Sequence, residues 1–118
     1  MSRRDYLHTV IRLFLEQPGA PPRASRADWA TAQAVYDAGV PLDDVLHAIR
    51  LVALRRSLRL GPLLPPVRTF AYYRLVLDQL TPDERDADYV DYVDRRYQAL
   101  ALKARALHSQ DRALSDDR

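Results

Sequence analysis

Apolar residues recur three and four apart over most of the chain, and the stretches that carry this spacing are set off from one another by prolines and glycines. From about Asp5 to Gln17, the positions Tyr6, Leu7, Val10, Ile11, Phe14 and Leu15 share one side of a helix that stops at Pro18 and Gly19. Ser25 reads as the N-cap of a second helix, with Asp28 three residues on as a short version of the capping box. That helix carries Trp29, Ala32, Val35 and Tyr36 and closes at Gly39. Pro41 opens a third helix, Asp43 and Asp44 complement its N-terminal dipole, and Arg55, Arg56 and Arg59 complement the other end before Gly61. A fourth is predicted over about Thr69 to Leu80. In "TPDE", Thr81 reads as an N-cap with Pro82 at the first helical position, opening a fifth helix to about Ser109. Along it Val90, Val93, Tyr97, Leu100, Ala104 and Leu107 form a helical seam. No strand-like alternation bounded by turn residues occurs, and each of the eight prolines falls where a helical pattern starts or stops. The expected fold is therefore all-α, a single compact domain of about five helices over residues 1–110 with a long C-terminal helix and a frayed tail at 111–118.

The stretch "AVYDAGVPLDDVLHAIR", Ala34 to Arg50, has the outline of a helix-turn-helix around Gly39. A helix that reads bases needs polar or basic side chains in its first two turns. Leu42, Asp43, Asp44, Val45, Leu46 and His47 stand there instead, and the two carboxylates would face phosphates. The nearly apolar run from Val45 to Leu54 is that of a central core helix. A helix-turn-helix regulator is thus an alternative rather than the first reading.

Composition narrows the class. The chain has 118 residues, 47% hydrophobic and 29% charged, and no cysteine, so it is long enough for one core and holds no disulfide, thiolate or sulfur-based zinc site. The apolar N-terminal run is broken by Arg12 and Glu16, which argues against a signal peptide, and no segment reads as a membrane span. A cytoplasmic protein without membrane contact is expected. The net charge of +2 is unevenly spread: eleven basic residues stand against six acidic ones through Leu75, and seven against ten from Val76 onward. The basic part suggests an anionic partner. Arg55, Arg56, Arg59, Arg68 and Arg74, joined by Arg23 and Arg26 from the first loop, are the candidate contacts to a nucleic-acid backbone, with little sequence preference.

"FAYYRLVLDQL" places Tyr72, Val76 and Leu80 four apart, after the lead-in "PPVRTF". This resembles the Tyr-x-x-x-Ile-x-x-x-Trp helix of the DnaD-like C-terminal module in phage and mobile-element replication proteins, over one helix and with Leu80 in the place of the Trp. The resemblance implies an all-helical module that helps bind DNA and remodel initiation complexes. The same stripe suits core packing, the role expected for these three residues.

Candidate chemistry is sparse. His8, His47 and His108 sit on three different predicted helices; Asp43 and Asp44 precede His47 at ligand-like spacing, but nothing completes a metal site or a catalytic dyad. Gly19, Gly39 and Gly61 are isolated at helix ends, which excludes a glycine-rich phosphate loop. No cofactor, no metal and no enzymatic activity are expected. Tyr89 and Tyr92, with Arg96, form a second stripe on the fifth helix and are the candidate surface for a protein partner or self-association. These readings converge on a helical accessory or adaptor module of a nucleoprotein assembly, related to replication or to a mobile element. The alternative of another class is a purely structural interaction or homodimerisation domain.

Overall fold

In the computed structural model, residues 1–61 and 64–116 are described, with side chains of the last helix described through Leu107. Five helices follow in order: α1 (Arg3–Leu15), α2 (Arg26–Asp37), α3 (Leu42–Ser57), α4 (Phe70–Asp78) and α5 (Ala87–Asp116). The chain is all-α, and no strand occurs among the described residues. Helix α1 starts earlier than its apolar spacing suggests because the Ser2 hydroxyl accepts from the Asp5 amide at 3.1 Å. Helix α2 carries the full capping box: the Asp28 amide donates to Ser25 Oγ at 3.1 Å and the Ser25 amide donates to Asp28 Oδ2 at 2.8 Å.

Helix α3 is the centre of the fold. It packs against α1, α4 and α5, and α2 closes the remaining side against α1 and α4. Val45, Ala48, Ile49, Leu51, Val52 and Leu54 are all buried, as their nearly continuous apolar run requires. The Phe14 ring meets Phe70 at 6.0 Å and Tyr73 at 5.9 Å, both edge to face, joining α1 to α4. Tyr6 donates its hydroxyl to the Val40 carbonyl at 2.8 Å, and burial raises that phenol above its ordinary range.

Asp28 has a second role that local sequence does not announce. Its Oδ1 accepts the Phe70 amide at 2.9 Å, so one buried carboxylate caps α2 and also holds the first residue of α4. The turn after α1 is equally constrained. Gly19 has φ +78°, and a Cβ there would lie 2.4 Å from Pro66 Cβ, so the turn fits against the connector leading to α4 only as glycine.

Three expectations are corrected. The first concerns the start of α5, which lies at Ala87 and not directly after Thr81. The "TPDE" segment does form its capping box, Glu84 amide to Thr81 Oγ1 and Thr81 amide to Glu84 Oε1, but it closes a separate turn. Asp86 then accepts from the Asp88 amide to start the long helix.

The second concerns the core face of α4. Tyr72 is 42% exposed, and the buried face is Phe70, Tyr73 and Leu77, continued by Leu80. Spacings of three, four and three keep these four residues on one side of the helix. Tyr72 stands five residues before Leu77, about 140° round the helix from it, which turns its ring to solvent.

The third concerns α5, where only the first half of the predicted seam is covered. Val93 is fully buried and Val90, Tyr97 and Leu100 are half-buried against the body, whereas Ala104 and Leu107 are exposed because α3 ends before α5 reaches them. Thirty residues of helix span about 45 Å, which accounts for the 52 × 32 × 30 Å extents of the molecule. The helical backbone is continuous to Asp116, while the side chains of the expected tail at 111–118, and residues 117–118 altogether, lie outside the described part.

Candidate nucleic-acid interface

The last turns of α3 carry Arg55 and Arg56, and Arg59 follows two residues past the helix end. Cations at a helix C-terminus offset the partial negative charge of its free carbonyls, and two of these three have further partners. Arg55 pairs with the Glu84 carboxylate. Arg56 donates to the Pro65 carbonyl at 2.7 Å and to the Leu64 carbonyl at 3.3 Å, holding the connector against α3. Arg59 is exposed and makes no ion pair among the described residues.

The three arginines share a surface pocket of about 190 Å³ with Val52, Leu64, Tyr72 and Val76. A solvent-facing tyrosine beside arginines offers a π-face for a base and cations for phosphates. Tyr72 is the residue that sequence reasoning assigned to the core and so missed as a surface group. The available signal was the competing phase Phe70, Tyr73, Leu77, which claims the core side of α4.

The other expected contacts are divided by the fold. Arg74 is exposed but stands two residues from Tyr72, about 200° round the same helix, and does not line the pocket. Arg26 and Arg68 are each two residues from the Asp28–Phe70 hydrogen bond, so they flank the joint between α2 and α4, with Arg23 just before it; all three are exposed. The predicted arginine face is therefore one pocket at the end of α3 and a separate set of arginines around the starts of α2 and α4.

Glu84 connects the pocket to the interior. Its carbonyl accepts from His47 Nε2 at 2.7 Å, which places the proton of the neutral ring on Nε2, while its carboxylate pairs with Arg55. The His47 ring also meets Tyr89 edge to face at 6.1 Å. Burial holds the His47 pKa below its ordinary value, with Asp44 opposing this and Arg50 and Arg55 adding to it. A His whose folded pKa is depressed favours the folded state while neutral, so its contribution is present above the unfolded value of about 6.5 and is lost as pH falls below it. Urea midpoints are thus expected to drop between about pH 7.5 and about pH 5.5. His47→Gln should flatten that slope, and an unchanged slope would show that His47 does not set it.

The predicted partner surface on α5 is split in the same way. Tyr92 and Arg96 face solvent, but Tyr89 is half-buried against the core and stacks on Tyr92 at 6.3 Å. His8 lies beside Trp29, with ring centroids 5.4 Å apart, and the His108 side chain is outside the described residues. Among the described residues, no three His, Asp or Glu side chains are grouped so as to hold a metal ion. No helix among them is long and apolar enough to cross a membrane. Compared with known protein families, curated proteins and solved structures, the chain matches none.

Proposed function

We propose that this protein is a non-enzymatic helical module that binds the backbone of a nucleic acid and acts as an adaptor within a nucleoprotein assembly. The observation that carries this reading is the surface pocket that Arg55, Arg56 and Arg59 line together with the exposed Tyr72. The arginines around the α2–α4 joint extend the basic surface, and the resemblance of the α4 segment to the DnaD-like module agrees with a role in replication or in a mobile element. A base-reading helix-turn-helix is disfavoured, because α3 is packed against three other helices and presents Asp43 and Asp44 at the end nearest the turn.

The test is fluorescence anisotropy with a labelled, roughly 12-nucleotide single strand and with its duplex, at several salt concentrations. Arg59→Gln removes a cation that has no ion-pair partner among the described residues, and Tyr72→Ala removes the ring; both positions lie outside the core. Each is expected to weaken binding to unrelated sequences alike, by about tenfold for Tyr72→Ala, and Arg59→Gln should reduce the salt slope by about 0.7–0.9. Absence of binding by the unaltered chain at low salt would overturn the proposal.

A second reading, association through α5, is favoured by one observation: Leu102 and Leu107 are 67% and 55% exposed on the part of the helix that runs beyond α3. Leu102→Lys with Leu107→Lys is expected to lower the sedimentation coefficient of an associating sample without loss of helicity. An unchanged coefficient would remove these two leucines, which stand about 140° apart round the helix, from consideration.

A further inference from the structure

Arg56 and Arg59 also border a second and larger opening. On their other side a cleft of about 920 Å³ lies between the C-terminal end of α1, the end of α3, the connector and the middle of α5. Its size is that of a small-molecule site. Four arginines reach its lining, Arg50, Arg56, Arg59 and Arg105, against one carboxylate, Glu16. The ends of α1 and α3 bring only fractional negative charge, so the cleft is cationic on balance. Its remaining surface is largely apolar and aromatic, with Leu13, Val52 and Leu100 beside the rings of Tyr73 and Tyr97.

Two features distinguish this cleft from a gap between packed helices. Tyr97 is held in place, its hydroxyl accepting from Gln17 Nε2 at 3.1 Å, so an aromatic ring is fixed on the wall. The buried Nε of Arg50 has no hydrogen-bond partner, although the same guanidinium lies 3.5 Å from Asp94 through Nη1. A buried donor without an acceptor is costly, and a ligand reaches it only if the Arg50 side chain turns toward the cleft that it lines. Arg59 and Arg105 line the cleft and make no ion pair among the described residues.

We propose that this cleft binds a nucleoside phosphate, with the phosphate on the arginines and the planar base against Tyr97 and the apolar wall. Guanidinium groups match phosphate oxygens in pairs, and a fixed tyrosine provides a stacking surface that any base can use. The ligand is either a free nucleotide or an unpaired nucleotide of a single strand; the second source rests on the nucleic-acid reading above, and the first does not.

The test uses residues that line the cleft and not the Tyr72 pocket. Arg105→Glu reverses an exposed charge on α5, and Ala101→Trp fills the cleft; circular dichroism confirms that each variant folds. Labelled adenosine monophosphate and the labelled single strand are titrated separately, with inorganic phosphate as competitor. Saturable binding of the nucleotide, weakened about tenfold or more by Arg105→Glu and also weakened by Ala101→Trp, supports a free-nucleotide site. Binding of the strand alone with the same sensitivity supports the unpaired-nucleotide source. Inorganic phosphate competing as well as the nucleotide would overturn the assignment of a base, and indifference of both ligands to both variants would overturn the site. Should Tyr72→Ala weaken strand binding while the cleft variants leave it intact and the nucleotide does not bind, the backbone-binding function stands and this inference falls. Nucleotide binding that the cleft variants weaken, without any strand binding, leaves the cleft site standing and removes the backbone-binding function.

Discussion

Phe14→Ala is expected to lower the unfolding free energy by about 3–5 kcal/mol. Phe14 has no exposed surface and touches the two aromatic rings that bring α4 onto α1. Its removal leaves a cavity between rigid rings, and neither Phe70 nor Tyr73 can move in without leaving its own helix position. A domain of this size has about 5–15 kcal/mol in total, so much of the margin is at stake. Urea unfolding followed by circular dichroism measures the change. Phe14→Leu, which keeps most of the volume, should lose clearly less, and equal losses would show that the cavity does not set the cost.

Asp28→Ala is expected to cost about 3 kcal/mol, since it leaves the Ser25 and Phe70 amides without their acceptor and one of these sits in the core. An ordinary N-cap change costs about 1 kcal/mol, so the size of the loss separates the two roles of this carboxylate. Asp28→Asn retains one acceptor oxygen and should fall between. A loss no larger than that of Ser25→Ala would mean that the tie to α4 contributes nothing. Because Arg26 and Arg68 flank this tie, the variant should also weaken any nucleic-acid binding that uses both.

The two substitutions mark the boundary between what was legible in the residues and what was not. Local physics set the helices. The Ser25 cap with Asp28, the glycine after α2 and Pro41 before α3 each act within a few residues, and α2 and α3 start where those signals stand, although α3 ends at Ser57, before Arg59 and the expected stop at Gly61. It also follows from α3's apolar run alone that this helix lies at the centre, because a helix apolar on most of its surface must be enclosed.

Tertiary packing decided the rest. Whether α4 turns Tyr72 or Tyr73 inward depends on which phase meets Phe14, a residue far earlier in the chain. The α5 seam has one sequence pattern throughout, yet α3 is long enough to cover only its first half. Asp28 is a capping residue by its neighbours and a link between helices only by its contact with Phe70, 42 positions away. The arginines were countable from the sequence, but charge has no period, and only the fold shows that Arg55, Arg56 and Arg59 line one pocket with Tyr72 while Arg74 does not. Helix formation is governed by interactions three and four residues apart, whereas a site is made by residues that the chain brings together only once its core has closed.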